Sequence, residues 1–140
     1  MAAQFCTRSA SPPEEYIYSC QIDDKQRRYE ASLQKAGVQA TTLIAYGSVC
    51  GRTINITSLF TSPDKRQNGL ASTLLRYFLR DCLQNGYHTF LLDDCSDYFR
   101  QNDKNIYYKQ GFRYINEGQP EMKLHYSWPT YTSSTEKDMV

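Results

Sequence analysis

The sequence of 140 residues lacks any apolar run that approaches the roughly 20 residues needed to cross a bilayer. Residues 1–15, MAAQFCTRSASPPEE, also contain no apolar stretch long enough for a signal peptide. An excess of charge of either sign is missing, because 16 basic residues are balanced by 15 acidic ones. We therefore expect a soluble cytoplasmic protein whose main partner is neither a membrane nor a nucleic acid.

Patterns typical of metal sites and disulfide frameworks are missing as well. The five cysteines are an odd number with no CxxC spacing, and the two histidines, His88 and His125, each stand alone in a strand-like pattern. A metal site needs three or four converging ligands, so we predict no metal. The cysteines are better interpreted as free thiols in a reducing compartment, with Cys95 buried or semi-buried.

The length and composition are those of one compact domain. Apolar residues make up 40% of the chain and charged residues 22%, and the 12 tyrosines suit half-buried strand positions. We predict a single domain over residues 14–128. A flexible lead-in over residues 1–13 and a loose tail over residues 129–140 are expected to flank it.

Local patterns predict a mixed α/β domain of the α+β kind, with a mostly antiparallel central sheet flanked by helices. β-Branched and aromatic runs predict strands over residues 16–20, 38–46, 53–61, 90–92, 112–115 and 121–128. The second and third of these form an antiparallel hairpin. Apolar residues at helical spacing predict a strong helix over residues 70–83. Two weaker helices are predicted, one from Asp23 or Asp24 to Gly37 and one over about residues 103–110.

A predicted strand meets the strongest predicted helix in the stretch from Leu59 to Ala71, which reads LFTSPDKRQNGLA. The first turn of a helix leaves backbone N–H groups without partners, and phosphate is their natural ligand. Gly69 allows a pyrophosphate to approach the backbone closely. Neither a P-loop nor a GxGxxG motif is present, and an ordinary strand-to-helix turn beside an exposed basic pair is the alternative interpretation.

Three segments together resemble the GCN5-related N-acetyltransferases. Arg66 to Ala71 matches the family signature Q/R-x-x-G-x-G/A, and Leu59 to Pro63 is similar to the family's fourth strand. Tyr107 to Phe112, which reads YYKQGF, resembles the family's Tyr-Glu-Lys-Leu-Gly-Phe helix ending. The resemblance implies a GNAT-like domain that uses acetyl-CoA as co-substrate, with two strands splayed apart at the cofactor cleft.

The resemblance also implies roles for individual residues. Backbone groups of Leu59, Phe60 and Thr61 would pair with the pantetheine arm of the cofactor. Asn105 would reach the pantetheine or the thiol side. The pyrophosphate would lie on backbone N–H groups of the turn, contributed by Arg66, Gln67, Asn68, Gly69, Leu70, Ala71 and Ser72.

Tyr107 stands where the family usually carries its general-acid tyrosine, and a backbone N–H near Phe60 would stabilise the oxyanion. A glutamate that often serves as the base on the fourth strand is missing here, since residues 53–58 read TINITS. Asp93 and Asp94 are the nearest candidate bases, acting through water. A solvated turn or a helix cap is the alternative role for both.

The expected reaction is transfer of the acetyl group of acetyl-CoA to a primary amine by direct attack. An acidic set, Asp93, Asp94, Asp97, Glu117 and Glu121, would favour a cationic acceptor such as a polyamine, another small amine or a lysine side chain. The rival hypothesis is an acyl-CoA-binding module of the same fold without turnover, and a phosphate-loop protein unrelated to CoA is a weaker third. Members of the family are often dimers, so a homodimer is possible.

Overall fold

The computed structural model describes residues 2–9, 16–50, 52–66, 69–96 and 98–126, with the backbone alone for residues 2–9 and 65. Its strands are β1 (Ala2–Ser9), β2 (Ile17–Asp23), β3 (Arg28–Lys35), β4 (Val38–Gly47), β5 (Thr53–Thr61), β6 (Thr89–Asp93), β7 (Arg113–Tyr114) and β8 (Glu121–His125). The two α-helices are α1 (Leu70–Gln84) and α2 (Ile106–Gln110), and a 3-10 turn covers Pro63–Lys65.

The described strands form one eight-stranded sheet in the order β1-β2-β3-β4-β5-β6-β8-β7. Every neighbouring pair is antiparallel except β5 and β6, which are parallel and are joined by a crossover through α1. The predicted mixed α/β fold with a mostly antiparallel sheet is therefore confirmed. The hairpin of β4 and β5 is confirmed as well.

Helix α1 packs on the face of the sheet formed by β2 to β5, and α2 packs against α1. The apolar stripe of α1, in which Leu74, Leu75 and Phe78 are fully buried, covers alternate residues of the strands beneath it. Such alternation is expected for strands with one face in the core. Among the described residues, neither helix is long and apolar enough to span a membrane.

The helix predicted between Asp23 and Gly37 is wrong, because this segment is a turn followed by strand β3. The Asp23 carboxylate does accept a backbone N–H, from Lys25 at 3.1 Å, but it does so in a tight turn that returns the chain to β2. Tyr29, Ala31 and Leu33 are buried in alternation, which is the period of a strand. The apolar residues that suggested a helix in this segment are therefore the buried residues of strand β3.

The flexible lead-in predicted over residues 1–13 is wrong for Ala2–Ser9, which pairs antiparallel with β2 as an edge strand. Main-chain hydrogen bonds hold this edge strand in the sheet, so its small and polar side chains give no sequence signal for a strand. Residues 10–13 and the tail predicted over residues 129–140 lie outside the described residues. The short helix predicted over about residues 103–110 is α2, which begins at Ile106, later than the expected residue 103.

Candidate active site

A wedge opens between the parallel strands β5 and β6. Their pairing runs from Thr53 opposite Thr89 to Ile56 opposite Leu92 and then stops. Thr57 is an extra residue in β5, since Ile44 pairs with Ser58 while Ala45 pairs with Ile56. A bulge of this kind bends its strand. The strands splay apart beyond it, and the end of β5 keeps an open edge toward β6.

The backbone of β5 presents donors and acceptors on this open edge. The N–H of Ser62 donates to the carbonyl of Ala40 at 3.0 Å, so Ser62 faces β4. Backbone groups in an antiparallel ladder alternate, which directs Phe60 toward β4 as well. Leu59 and Thr61 therefore direct their N–H and C=O groups to the open side.

The first turn of α1 lies at one end of this edge. Its N-cap is Gly69, with φ of 76°, and the cap has no side chain to bond the N–H groups of Leu70, Ala71 and Ser72. The first helical bond runs from the N–H of Thr73 to the carbonyl of Gly69, at 3.0 Å. No acidic side chain lies in this turn, and its N-cap Gly69 leaves the first N–H groups without a side-chain cap of its own, so the helix dipole and these N–H groups suit an anion.

Arg66 lies between the strand edge and the helix start. Its Nε donates to the carbonyl of Thr61 at 3.0 Å, and its guanidinium stands 5.6 Å from the ring centre of Phe60. The cation is exposed and retains donors for a second partner. Gln67 and Asn68, which were predicted to complete this turn, lie outside the described residues.

These features share one cleft with a volume of about 530 Å³. Its walls contain eight of the predicted cofactor residues: Leu59, Phe60, Thr61, Arg66, Gly69, Leu70, Ala71 and Ser72. Tyr107 of α2 lines the same cleft. The structure thus brings the predicted phosphate turn, the open strand edge and the predicted acid into a single space.

Tyr107 has the protonation state that a proton donor needs. Burial, together with the nearby negative charge of Asp94, raises the pKa of Tyr107 to about 12. Its ring packs edge-to-face on Phe112, with 6.2 Å between the ring centres. The hydroxyl group therefore stays protonated at neutral pH.

Asp94 is buried and does not line the cleft. Its Oδ1 accepts bonds from the hydroxyl and N–H groups of Ser96, at 2.6 and 3.0 Å. Its Oδ2 accepts bonds from Tyr114 and Asn105. Burial alone would raise the pKa of Asp94, but these hydrogen bonds hold it below its ordinary value. Asp94 is thus a buried structural carboxylate, which is neither the predicted base nor the solvated turn or helix cap given as its alternative.

Asn105 is also outside the cleft, with 1% of its surface exposed. It is the N-cap of α2, and both the oxygen and the nitrogen of its side-chain amide are hydrogen-bonded to groups of the protein. The predicted contact of Asn105 with the cofactor thus does not match its position. Asp93 is exposed at the end of β6, paired with Glu121 of β8, and is likewise not in the cleft wall.

Five further residues line the cleft and were not predicted as site residues: Cys95, Ser96, Tyr98, Lys104 and Ile106. Cys95 is an exposed free thiol, which corrects its interpretation as buried or semi-buried. The position of this loop depends on the buried bonds of Asp94, for which the sequence has no local signal. Within the described residues no group of three or more His, Cys, Asp or Glu is placed to hold a metal ion.

Residues 4–112 match the profile of the acetyltransferase (GNAT) family. The chain belongs to this family. The match covers most of the sheet, α1, α2 and every described residue in the cleft wall. The predicted resemblance is therefore confirmed, and the cleft between β5 and β6 is a feature of a GNAT acetyltransferase domain. No curated protein sequence matches the chain significantly.

Solved structures show the same fold at low sequence identity. The GNAT domain of S. lividans PAT is 14% identical with a TM-score of 0.57, over 74% of this chain and 64% of that one, which is less than two thirds of its length. Nourseothricin acetyltransferase is 13% identical with a TM-score of 0.57, over 89% and 86% of the two chains. Aminoglycoside 6'-acetyltransferase type Ii is 14% identical with a TM-score of 0.58, over 73% of each chain.

Proposed function

We propose that this GNAT domain transfers the acetyl group of acetyl-CoA to a primary amine by direct attack. The observation that carries the proposal is the convergence of the open β5 edge, the uncapped start of α1 and Tyr107 on one cleft. The edge suits an extended arm with amide groups, the helix start suits a pyrophosphate, and Tyr107 suits a leaving thiolate. Each element matches a different part of acetyl-CoA.

Binding uses main-chain groups in this proposal. Leu59 and Thr61 pair with the pantetheine amides as an added strand would, because their backbone groups face the open side. The N–H groups of Leu70, Ala71 and Ser72 hold the pyrophosphate. The exposed guanidinium of Arg66 adds a positive charge beside it.

The chemical step follows from the same geometry. The neutral amine attacks the thioester carbonyl carbon, and charge develops on the carbonyl oxygen. A backbone N–H on the open side of β5, that of Leu59 or Thr61, stabilises this oxyanion, whereas the N–H of Phe60 faces β4. A contact of this kind contributes about 3 kcal/mol. As the carbon–sulfur bond breaks, Tyr107 donates its proton to the thiolate of CoA.

The acceptor class is a cationic amine, either a small amine such as a polyamine or a lysine side chain. Asp93 and Glu121 are exposed opposite each other at the end of β6, and their charges favour a cation nearby. Asp93 is the candidate that takes the proton of the amine, through water. We place the reaction in the cytoplasm, with a homodimer as a possible assembly.

The test is release of CoA thiol from acetyl-CoA in the presence of spermidine, aminoglycosides, amino acids or a lysine-rich peptide. We expect amine-dependent release, and Tyr107→Phe should lower kcat by about a hundredfold. Tyr108→Phe is the matched control, because its ring lies under Arg113, at 3.7 Å, and does not line the cleft. Equal losses in the two variants would overturn the role of Tyr107.

An acyl-CoA-binding module without turnover is the second candidate. The observation that favours it is the absence of Asp and Glu from the described lining of the cleft, which leaves the base without a residue in direct reach. Saturable acetyl-CoA binding with no thiol release for any amine would support this candidate. Failure to bind acetyl-CoA would contradict both.

A further inference from the structure

The loop from Asp94 to Asn105 connects β6 to α2 and supplies one wall of the cleft. Its two ends meet in a buried hydrogen bond of 2.7 Å, which Nδ2 of Asn105 donates to Oδ2 of Asp94. Asp94 itself is fixed to the sheet, because its N–H donates to the carbonyl of Pro120 at 2.9 Å. The loop is thus closed at its base by one side-chain pair.

Asn105 caps the first turn of α2 with its side-chain oxygen. Its Oδ1 accepts from the N–H groups of Tyr107 and Tyr108, at 2.9 and 3.1 Å. Its Nδ2 also donates to the carbonyl of Tyr98 at 3.2 Å. A third acceptor, the hydroxyl of Tyr114, lies 3.4 Å from Nδ2, so the amide group has two donor and three acceptor partners, all within the protein. A ligand in the cleft has no bond left to take from it.

Helix α2 depends on this cap. It has five residues, far fewer than an isolated helix needs for stability in water. A cap of this kind contributes on the order of 1 kcal/mol and also fixes the direction of the first turn. The N–H of Tyr107 is itself one of the capped groups, so the cap and the tyrosine move together.

We propose that Asp94 and Asn105 form a positioning pair that fixes the Tyr107 hydroxyl in the cleft relative to the sheet. This inference rests on the proposed function, in which Tyr107 is the acid. Asp94 is connected to β6 and Asn105 to α2, so their bond sets the distance between the strand and the acid. Neither residue lines the cleft.

A double-mutant cycle tests the pair. Asp94→Asn keeps the size but leaves one acceptor oxygen for two sets of donors, Ser96 on one side and Asn105 on the other. The backbone N–H and hydroxyl groups of Ser96 retain that oxygen, so the new amide N–H faces the amide N–H of Asn105 and their bond is broken. We expect kcat to fall by about tenfold to a hundredfold, as misplacement of a catalytic group by about 1 Å does. In the Tyr107→Phe background the same change should cost less than about threefold, since the acid is already absent. Equal losses in both backgrounds would overturn the proposal.

Two variants separate positioning from general damage. The exchange Asp94→Asn/Asn105→Asp reverses the bond, with a carboxylate as the cap and an amide facing it, and should recover most of kcat. Tyr114→Phe removes another bond to Asp94 and a long one, of 3.4 Å, from Nδ2 of Asn105, but it leaves the Asp94–Asn105 bond and the cap in place, so kcat should stay within about threefold. Failure of the exchange to restore kcat, or an equal loss in Tyr114→Phe, would contradict the pair.

A spectroscopic readout keeps the test independent of turnover. The ring signal of Tyr107 in protein labelled with [13C]tyrosine is identified by its loss in Tyr107→Phe. It should shift in Asp94→Asn and return in the exchange variant, whether or not the chain transfers acetyl groups. An unmoved signal in Asp94→Asn would overturn the inference even if the proposed function is correct. Absence of transferase activity with a shifted signal would contradict the proposed function alone.

Discussion

The hydroxyl group of Thr41 donates a hydrogen bond of 2.9 Å to the carbonyl oxygen of Phe60, across the pairing of β4 and β5. It also meets the hydroxyl of Thr61 at 3.0 Å, and Thr41 itself is 1% exposed. This buried hydroxyl therefore supports the strand edge on which the cofactor arm is proposed to lie.

Replacing Thr41 by valine should weaken cofactor binding. The change keeps the shape and removes the bonds to Phe60 and Thr61, at a cost of about 1 kcal/mol in the free energy of unfolding. If the bound state loses a further half to all of that amount, because the strand edge is then less well held against the cofactor, the Kd of acetyl-CoA rises by about two- to fivefold. Calorimetric titration measures it. Thr42→Val, on the opposite face of β4, is the control, and an equal rise there would contradict the prediction.

Cys95 should report occupancy of the cleft. It is an exposed free thiol in the cleft wall, while Cys50 is an exposed free thiol in the turn between β4 and β5. We expect acetyl-CoA to slow alkylation of Cys95 by iodoacetamide by at least about tenfold at a concentration well above Kd, since a bound ligand covers the wall.

Peptide mass spectrometry follows each thiol separately in one sample. Cys50 is the internal control, because its turn is not part of the cleft wall. The rate at Cys50 should not change with acetyl-CoA. Equal rates at Cys95 with and without acetyl-CoA, while binding is saturated, would place the cofactor elsewhere.

Asp93 and Glu121 face each other directly on β6 and β8, and both are exposed. Like charges at opposite positions of two strands destabilise a sheet. Asp93→Asn and Glu121→Gln should therefore each raise the free energy of unfolding by about 0.3 kcal/mol. Only Asp93→Asn should lower kcat if Asp93 is the base.

Urea unfolding and steady-state kinetics measure the two effects on the same preparations. Glu121→Gln is the matched control, since it relieves the same repulsion and removes no candidate base. An unchanged kcat in Asp93→Asn would exclude Asp93 as the base. Parallel losses in both variants would instead indicate that the two acids attract the amine together.

Gly111 ends α2 with φ of 114°, and a Cβ at this position would lie 3.0 Å from Cδ1 of Leu124. Gly111→Ala should lower the free energy of unfolding by about 2 kcal/mol, from the strained backbone and the tight contact together. Gly118→Ala, at φ of 81° with open space around it, should show only the backbone cost of about 1 kcal/mol. Thermal or urea unfolding compares them, and equal effects would contradict the role of Leu124.

The sequence predicted those parts of the fold that carry a local signal. The stripe of leucines in α1 and the turn at Gly69 are visible in a single segment, whereas the cofactor roles proposed for residues from Leu59 to Ser72 came from the resemblance to the family. Strand β3 was missed because Asp23 before it resembles a helix cap. Its alternation of buried residues competes with a helical pattern over the same short length.

The rest of the site depends on contacts between distant residues. Asp94 was predicted as a base because a carboxylate stands at the end of a strand, yet its partners Asn105 and Tyr114 lie far along the chain. No local pattern reveals that these groups meet. Cys95 was interpreted as buried or semi-buried for the same reason, since the loop that exposes it is shaped by those bonds.

The parallel pairing of β5 and β6 has a consequence for the order of folding. Strands β1 to β5 are neighbours in both sequence and space, so we expect them to pair early, through local contacts, and β6 to join β5 later, once α1 has formed the crossover. The cleft therefore lies between the part of the chain that we expect to fold first and the part that we expect to fold last. A ligand bound across it should slow amide hydrogen exchange most in β6, α2 and β8, the part that docks last.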